Sequence, residues 1–208
     1  MLDKEIQNTL DECMSYYTSE ENLGFFHAAK KEFINLTGMI NEEDDDFEHR
    51  VNSFHDWFLF HYELPEIKRI TIKNFLLHNN KPRNVEKGIL EAEYSIFEFL
   101  RDGKGESSFK NLLSGKEFSI REGMSKGTFV KGDIFLSHLI GARDDVFFSR
   151  GICLIPRSLK KTIAKEVEKN DLFNMRHAKN RFLFTLEKLK NKSKSYSHIP
   201  AEKIFVFN

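Results

Sequence analysis

The chain has 208 residues, 40% apolar and 31% charged, a globular composition that fits one domain of ordinary size or a small domain with a helical partner. No apolar run approaches the roughly 20 residues that span a bilayer, and the opening MLDKEIQNTLDEC carries no apolar signal segment, so a membrane-spanning or exported protein is not expected. The formal charge of zero hides a strong asymmetry: residues 1–66 hold sixteen acids and four bases (−12), residues 67–208 sixteen acids and twenty-eight bases (+12).

The first region, residues 1–93, reads as acidic helices. Thr18-Ser19-Glu20-Glu21 marks a helix start and Gly38 a stop for the segment between them. Asn41 opens a third helix with Glu42 to Asp46 in its first turn, where the helix dipole favours negative charge. Phe47, Val51, Phe54, Phe58 and His61 repeat at helical spacing, and from Phe54 onward the segment is apolar nearly all round, so its end is expected to enter the core. Pro65 terminates it. Short helices around Ile72–Leu77 and Val85–Ala92 follow.

The second region, residues 94–156, changes period. The runs YSIFEFLRD, SSFKNLL, KEFSIRE, TFVKG, DIFLSHLIG and VFFSRGICLIP are separated by Gly103, Gly105, Gly115, Gly123, Gly127, Gly132, Gly141 and Gly151. Short strands with glycine punctuation point to a small, mostly antiparallel, barrel-like sheet, with Ser114-Gly115-Lys116 as a hairpin turn. The third region, residues 157–208, returns to helix after Pro156 and packs back on the rest as one integrated unit. Leu159, Ile163 and Val167 give an apolar face; Lys161, Lys165 and Lys169 give a basic one. Asn170-Asp171 caps a second helix whose stripe is Met175, Ala178, Phe182, Leu186 and Leu189. The closing PAEKIFVFN adds an edge strand or tucks into the core. The expected fold is α+β: an acidic N-terminal helical layer, a small antiparallel β-barrel-like sheet and basic C-terminal helices.

Reactive constellations are scarce. His49, His55 and His61 stand six residues apart, about 240° of turn per step, and cannot converge on one ion from one helix face. There is no CxxC or HxxxH pair, no GxSxG, no GxxxxGK[ST] and no GxGxxG. Cys13 and Cys153 fit no disulfide framework, so a reducing cytoplasm is the simplest compartment. Cys153 reads as an inert strand residue. Asp144-Asp145 and Glu42–Asp46 read as solvated turn or helix-start acids. No metal, cofactor or catalytic residue is expected.

The basic C-terminal helices are the best positive feature, since Arg157 to Lys194 hold twelve bases and four acids. The leading reading is a non-catalytic cytoplasmic binding or adaptor protein with a protein partner or a second copy of itself. Its contact residues are Arg157, Lys160, Lys161, Lys165, Lys169, Arg176, Lys179 and Arg181. The same residues would serve a nucleic-acid-binding regulator, for which RHAKNRFLF interleaves cations with aromatics. A metal-assisted hydrolase built from scattered acids and histidines is the third reading. Trp57 and Phe58 read as core, with an aromatic anchor for a partner as the alternative.

The order FHDWFLFHYELP, YSIFEFL, FKNLLSGKEFSI, KGDIFLSHLI and SRGICLIP, over about residues 54–156, resembles a group of uncharacterised bacterial proteins that often carry SEC-C zinc-binding tails. His61 stands where that group usually shows Asp. No cysteine-rich SEC-C tail is present, which removes the metal-linked role the resemblance would imply. The resemblance implies the architecture and brings no activity with it.

Overall fold

A computed structural model describes residues 2–121, 129–142, 145–169, 176–196 and 198–207. The expected turn glycines Gly123 and Gly127, Asp144 of the acidic pair, the Asn170-Asp171 cap and Met175 lie outside the described residues. Helix makes up 51% and strand 21%, with helices at both ends of the chain and a curled antiparallel half-barrel sheet between them, an α+β fold as the sequence predicts. No helix is long and apolar enough to cross a membrane.

Contacts divide the chain into two units, residues 1–35, 40–93 and 138–151 in the first, and 36–39, 94–137 and 152–208 in the second. The boundary departs from the three sequence regions, beginning with residues 36–39, which leave the N-terminal region for the second unit. Residues 138–151 join the N-terminal helices, and the basic C-terminal helices share a unit with most of the sheet.

The first unit holds α1 (Leu2–Tyr17), most of α2 (Leu23–Thr37) and α3 (Phe47–Phe60). After the two-residue strands β1 (Glu63–Leu64) and β2 (Arg69–Ile70) come α4 (Thr71–His78) and α5 (Arg83–Leu90). Helix α2 begins later than expected because Ser19 to Asn22 form a turn, with Asn22 N–H donating to the Ser19 carbonyl at 3.0 Å. Gly38, at φ 91°, ends it in the left-handed conformation that other residues avoid. Helix α3 starts at Phe47, not Asn41. The acidic run stays in turns before it, bonded Asp44 N–H to Asn41 carbonyl (3.2 Å) and Phe47 N–H to Asp44 carbonyl (2.9 Å). Five adjacent carboxylates repel one another, and Asp competes with helix by bonding nearby backbone. The helix stops at Phe60, before Pro65, and the β1–β2 hairpin follows where no strand was expected.

Aromatic rings build this unit's core. Phe26 packs on Phe54 with centroids 4.9 Å apart, Tyr17 meets Phe58 edge-on at 5.7 Å, and Phe33 lies against Trp57 at 5.7 Å. The Tyr17 hydroxyl accepts from Asn74 Nδ2 at 3.0 Å, so the buried phenol is satisfied. Each fully buried ring, such as Phe33 or Phe58, contributes roughly 1.5–3 kcal/mol by leaving water.

The second unit holds β3 (Glu93–Asp102), β4 (Glu106–Asn111), β5 (Glu117–Arg121) and the first half of β6 (Ile134–Ala142), whose second half pairs with β7 (Asp145–Phe148) in the first unit. Strand β8 (Cys153–Ile155) pairs with the start of β6, Ile134 opposite Ile155. The strand order is β5-β4-β3-β6-β7, with β5–β4, β4–β3 and β6–β7 paired antiparallel. A 3₁₀ turn (Arg157–Leu159) leads into α6 (Lys160–Lys169), α7 (Arg176–Lys194) and α8 (Ala201–Ile204).

Residues 94–99 of β3 are all buried, because both sheet faces are covered. Tyr94 and Ile96, with Ile134 and Leu136 of β6, pack on Leu159, Ile163, Phe182, Leu183 and Leu186. Phe97 and Phe99 face the other way and join Phe109, Phe118, Phe129 and Phe135, with Phe129 stacked on Phe135 at 4.5 Å. The run TFVKG forms no strand where it is described. Gly132 takes φ 86°, and Asp133 Oδ2 accepts from Val130 N–H at 2.6 Å, closing a turn that buries Phe129. The closing segment is helical rather than a strand, and it does tuck in, with Phe205 at 2% exposure.

Candidate functional site

Two features of the described residues qualify: the basic surface of the second unit and a polar cleft in the first. On the basic surface the eight cations meet different fates. Arg157 donates from Nε to Asp133 Oδ1 at 2.8 Å, and Lys160 Nζ lies 2.5 Å from Glu98 Oε1. Both are therefore tied to acids of their own unit, and Glu98 is 7% exposed. Lys161, Lys165 and Lys169 on α6 are exposed and make no ion pair among the described residues. Their four-residue spacing turns only about 40° per step, so they form one stripe about 12 Å long. Arg176 opens α7, Lys179 is half-buried and Arg181 is exposed.

The aromatics of RHAKNRFLF are not available to stack on bases. Phe182 is 8% exposed and packs on Phe207 at 5.1 Å, and Phe184 stacks on Tyr94 at 5.4 Å. The two rings stand about 200° apart on the helix, so each is covered by a different neighbour, Phe182 by the C-terminal segment and the half-buried Phe184 by Tyr94. Trp57 and Phe58 are likewise core, at 3% and 0% exposure, so the anchor alternative has no exposed ring to use.

The cleft in the first unit has a volume of about 50 Å³ and is lined by Gln7, Asp11, Asn52, His55, Asp56, Ser149 and Arg150, with Leu10, Met14 and Leu59. Helix α3 supplies Asn52, His55, Asp56 and Leu59 at three- and four-residue spacing, which puts them on one face. Arg150 grips Asp11 with two hydrogen bonds, 3.1 and 3.3 Å. Asp56 Oδ2 accepts from the Gly151 N–H at 2.8 Å. Only glycine fits at 151: a Cβ there would lie 2.3 Å from Asp56 Oδ2 and 2.8 Å from Ser53 Cα. Burial, and then the positive charge of Arg150, hold the His55 imidazole below its ordinary range, so its neutral form is favoured.

The cleft holds a few waters at most, against roughly 300–1,000 Å³ for ligand pockets. Its charges are already matched, Asp11 with Arg150 and Asp56 with a backbone donor. Among the described residues no group of three or more His, Cys, Asp or Glu could hold a metal ion. Cys13 is buried in α1 with its thiol pushed far up by desolvation, which makes it a poor nucleophile.

Sequence reasoning missed Asp11, Asn52, Ser149 and Arg150, and also a contact between His61 and His138, whose Nε2 atoms are 2.9 Å apart. Spacing within a helix reveals neither set, because the partners come from segments 77 or more residues away. No protein-family model, no curated protein and no solved structure matches the chain.

Proposed function

We propose that the protein is a non-catalytic binding module of the cytoplasm that docks an acidic protein surface on the lysine stripe of α6, extended by Arg181. The observation that carries this reading is the stripe itself. Lys161, Lys165 and Lys169 are exposed, lack any acidic partner among the described residues and repel one another. Like charges at four-residue spacing destabilise a helix by roughly 0.2–0.5 kcal/mol per pair. An acidic partner relieves that repulsion. The small, charge-matched cleft supports a surface-acting role over a hydrolase, and the burial of Phe182 and the stacking of Phe184 on Tyr94 favour a protein partner over a single-stranded nucleic acid. The resemblance to SEC-C-related proteins fits this reading, since it carries no reaction.

The test is fluorescence anisotropy of labelled poly-glutamate, oligo-uridine and oligo-thymidine, each about 20 units long, titrated with the full chain at about 50 mM salt. Poly-glutamate binding that weakens about tenfold or more in the triple variant Lys161→Ala, Lys165→Ala, Lys169→Ala supports the reading. Tighter binding of either oligonucleotide replaces it with the nucleic-acid regulator. No binding to any of the three removes both.

A further inference from the structure

His61 and His138 are 77 residues apart in sequence, yet their Nε2 atoms lie 2.9 Å from each other. Both belong to the first unit, and each is carried on a rigid support. His61 is the C-cap of α3, its backbone N–H bonded to the Trp57 carbonyl at 2.8 Å. His138 sits on β6 at 3% exposure, its ring stacked on Phe60 with centroids 4.7 Å apart. Its backbone is held from both sides by Ser149. The His138 N–H donates to Ser149 Oγ at 3.3 Å, and its carbonyl accepts from the Ser149 N–H at 2.9 Å. His61 is half-buried, whereas His138 is enclosed.

A neutral imidazole has one ring nitrogen with a free lone pair. Two Nε2 atoms in this arrangement either share a single proton or turn both lone pairs on a common cation. Imidazole nitrogen is a preferred ligand of borderline divalent ions such as Zn²⁺. Zn–N bonds of roughly 2.0–2.1 Å at a tetrahedral angle set two ligating nitrogens about 3.3 Å apart. The rings now face each other nearly head-on, with centroids 5.1 Å apart, so the pair reaches that bite by opening about 0.4 Å and tilting both rings toward one side. We propose that His61 and His138 form a two-histidine site for a zinc-like divalent cation, which ties the C-terminal end of α3 to β6. Since no larger cluster of ligating residues surrounds them among the described residues, water completes the shell and the affinity stays below that of a closed four-ligand site. The inference is independent of the lysine stripe.

Isothermal titration of the full chain with ZnCl₂ near pH 7.5, paired with thermal melts, tests it. The expected result is one saturable Zn²⁺ per chain and a melting temperature that rises with Zn²⁺. His61→Ala and the more conservative His61→Gln each weaken uptake about tenfold or more, while both variants keep the native circular dichroism spectrum. His49→Ala, an exposed position on α3, leaves uptake unchanged. Uptake retained in both His61 variants would place the ion on other histidines and overturn the proposal, as would the lack of saturable uptake by the unmodified chain.

Discussion

His55 is a half-buried residue on α3 whose surroundings act on it twice in the same direction. Burial disfavours the imidazolium, and the Arg150 guanidinium disfavours it further, so the folded-state pKa falls below the ordinary value of 6.5. As pH drops through about 6.5 the unfolded chain takes a proton that the folded chain still resists, so the unfolded state binds more protons. The contribution of His55 is thus fully present above that pH and is lost as pH falls toward the lowered folded value. His55→Gln is expected to flatten the decline of stability between about pH 7 and pH 5, read from urea midpoints at each pH. Equal slopes for the variant and the unmodified chain would assign the titration to a different group.

At the scale of the element, α6 separates binding from stability. Replacing Lys165 by Glu turns a stripe of three cations into alternating charges, with two attractive four-residue pairs in place of two repulsive ones. Each change of sign is worth a few tenths of a kcal/mol, and the new repulsion from Glu168 three residues on offsets about half of the gain, so Lys165→Glu is expected to stabilise the protein by about 0.5 kcal/mol while weakening poly-glutamate binding. Chemical denaturation and anisotropy on the same preparation check both halves. A destabilised variant would mean that Lys165 has a stabilising role in the folded chain beyond display. The elements also show what local sequence can and cannot tell. Strands β3 to β6 were legible because β-branched and aromatic runs end at glycines, and α6 because Leu159, Ile163 and Val167 keep helical spacing. Glycine at 151 was legible as a break but not as a close approach, because Ser53 and Asp56 come from α3. The cleft and the His61–His138 contact were invisible for the same reason, since each depends on residues 138–151 returning to the N-terminal helices. The interleaved aromatics of α7 misled because spacing reveals a face, whereas only the fold decides whether that face is covered.

For the whole molecule, the charge asymmetry persists in the structural units, though less sharply than in the sequence segments 1–66 and 67–208. The first unit contains twenty-one acids and twelve bases, net −9, and the second eleven acids and twenty bases, net +9. Two ion pairs inside the first unit, Arg150 with Asp11 and Lys81 with Glu12, show bases from beyond residue 66 neutralising acids of α1, yet a large excess of one sign remains in each unit. With a net charge of zero and an isoelectric point near 7.1, no overall repulsion keeps copies apart at neutral pH. The attraction of one molecule's acidic unit for another's basic unit is then the leading long-range force. It acts over a Debye length of about 30 Å at 0.01 M salt and about 3 Å at 1 M. Self-association at neutral pH is therefore expected at low salt and reversed by salt, read as an apparent mass by sedimentation or light scattering across that range. The triple lysine variant of α6 removes three of the cations involved and should shift the transition to lower salt. Association that instead grows with salt would point to exposed apolar side chains such as Leu77 and Leu90, at 64% and 46% exposure, because excluded salts strengthen apolar contacts while they screen charge.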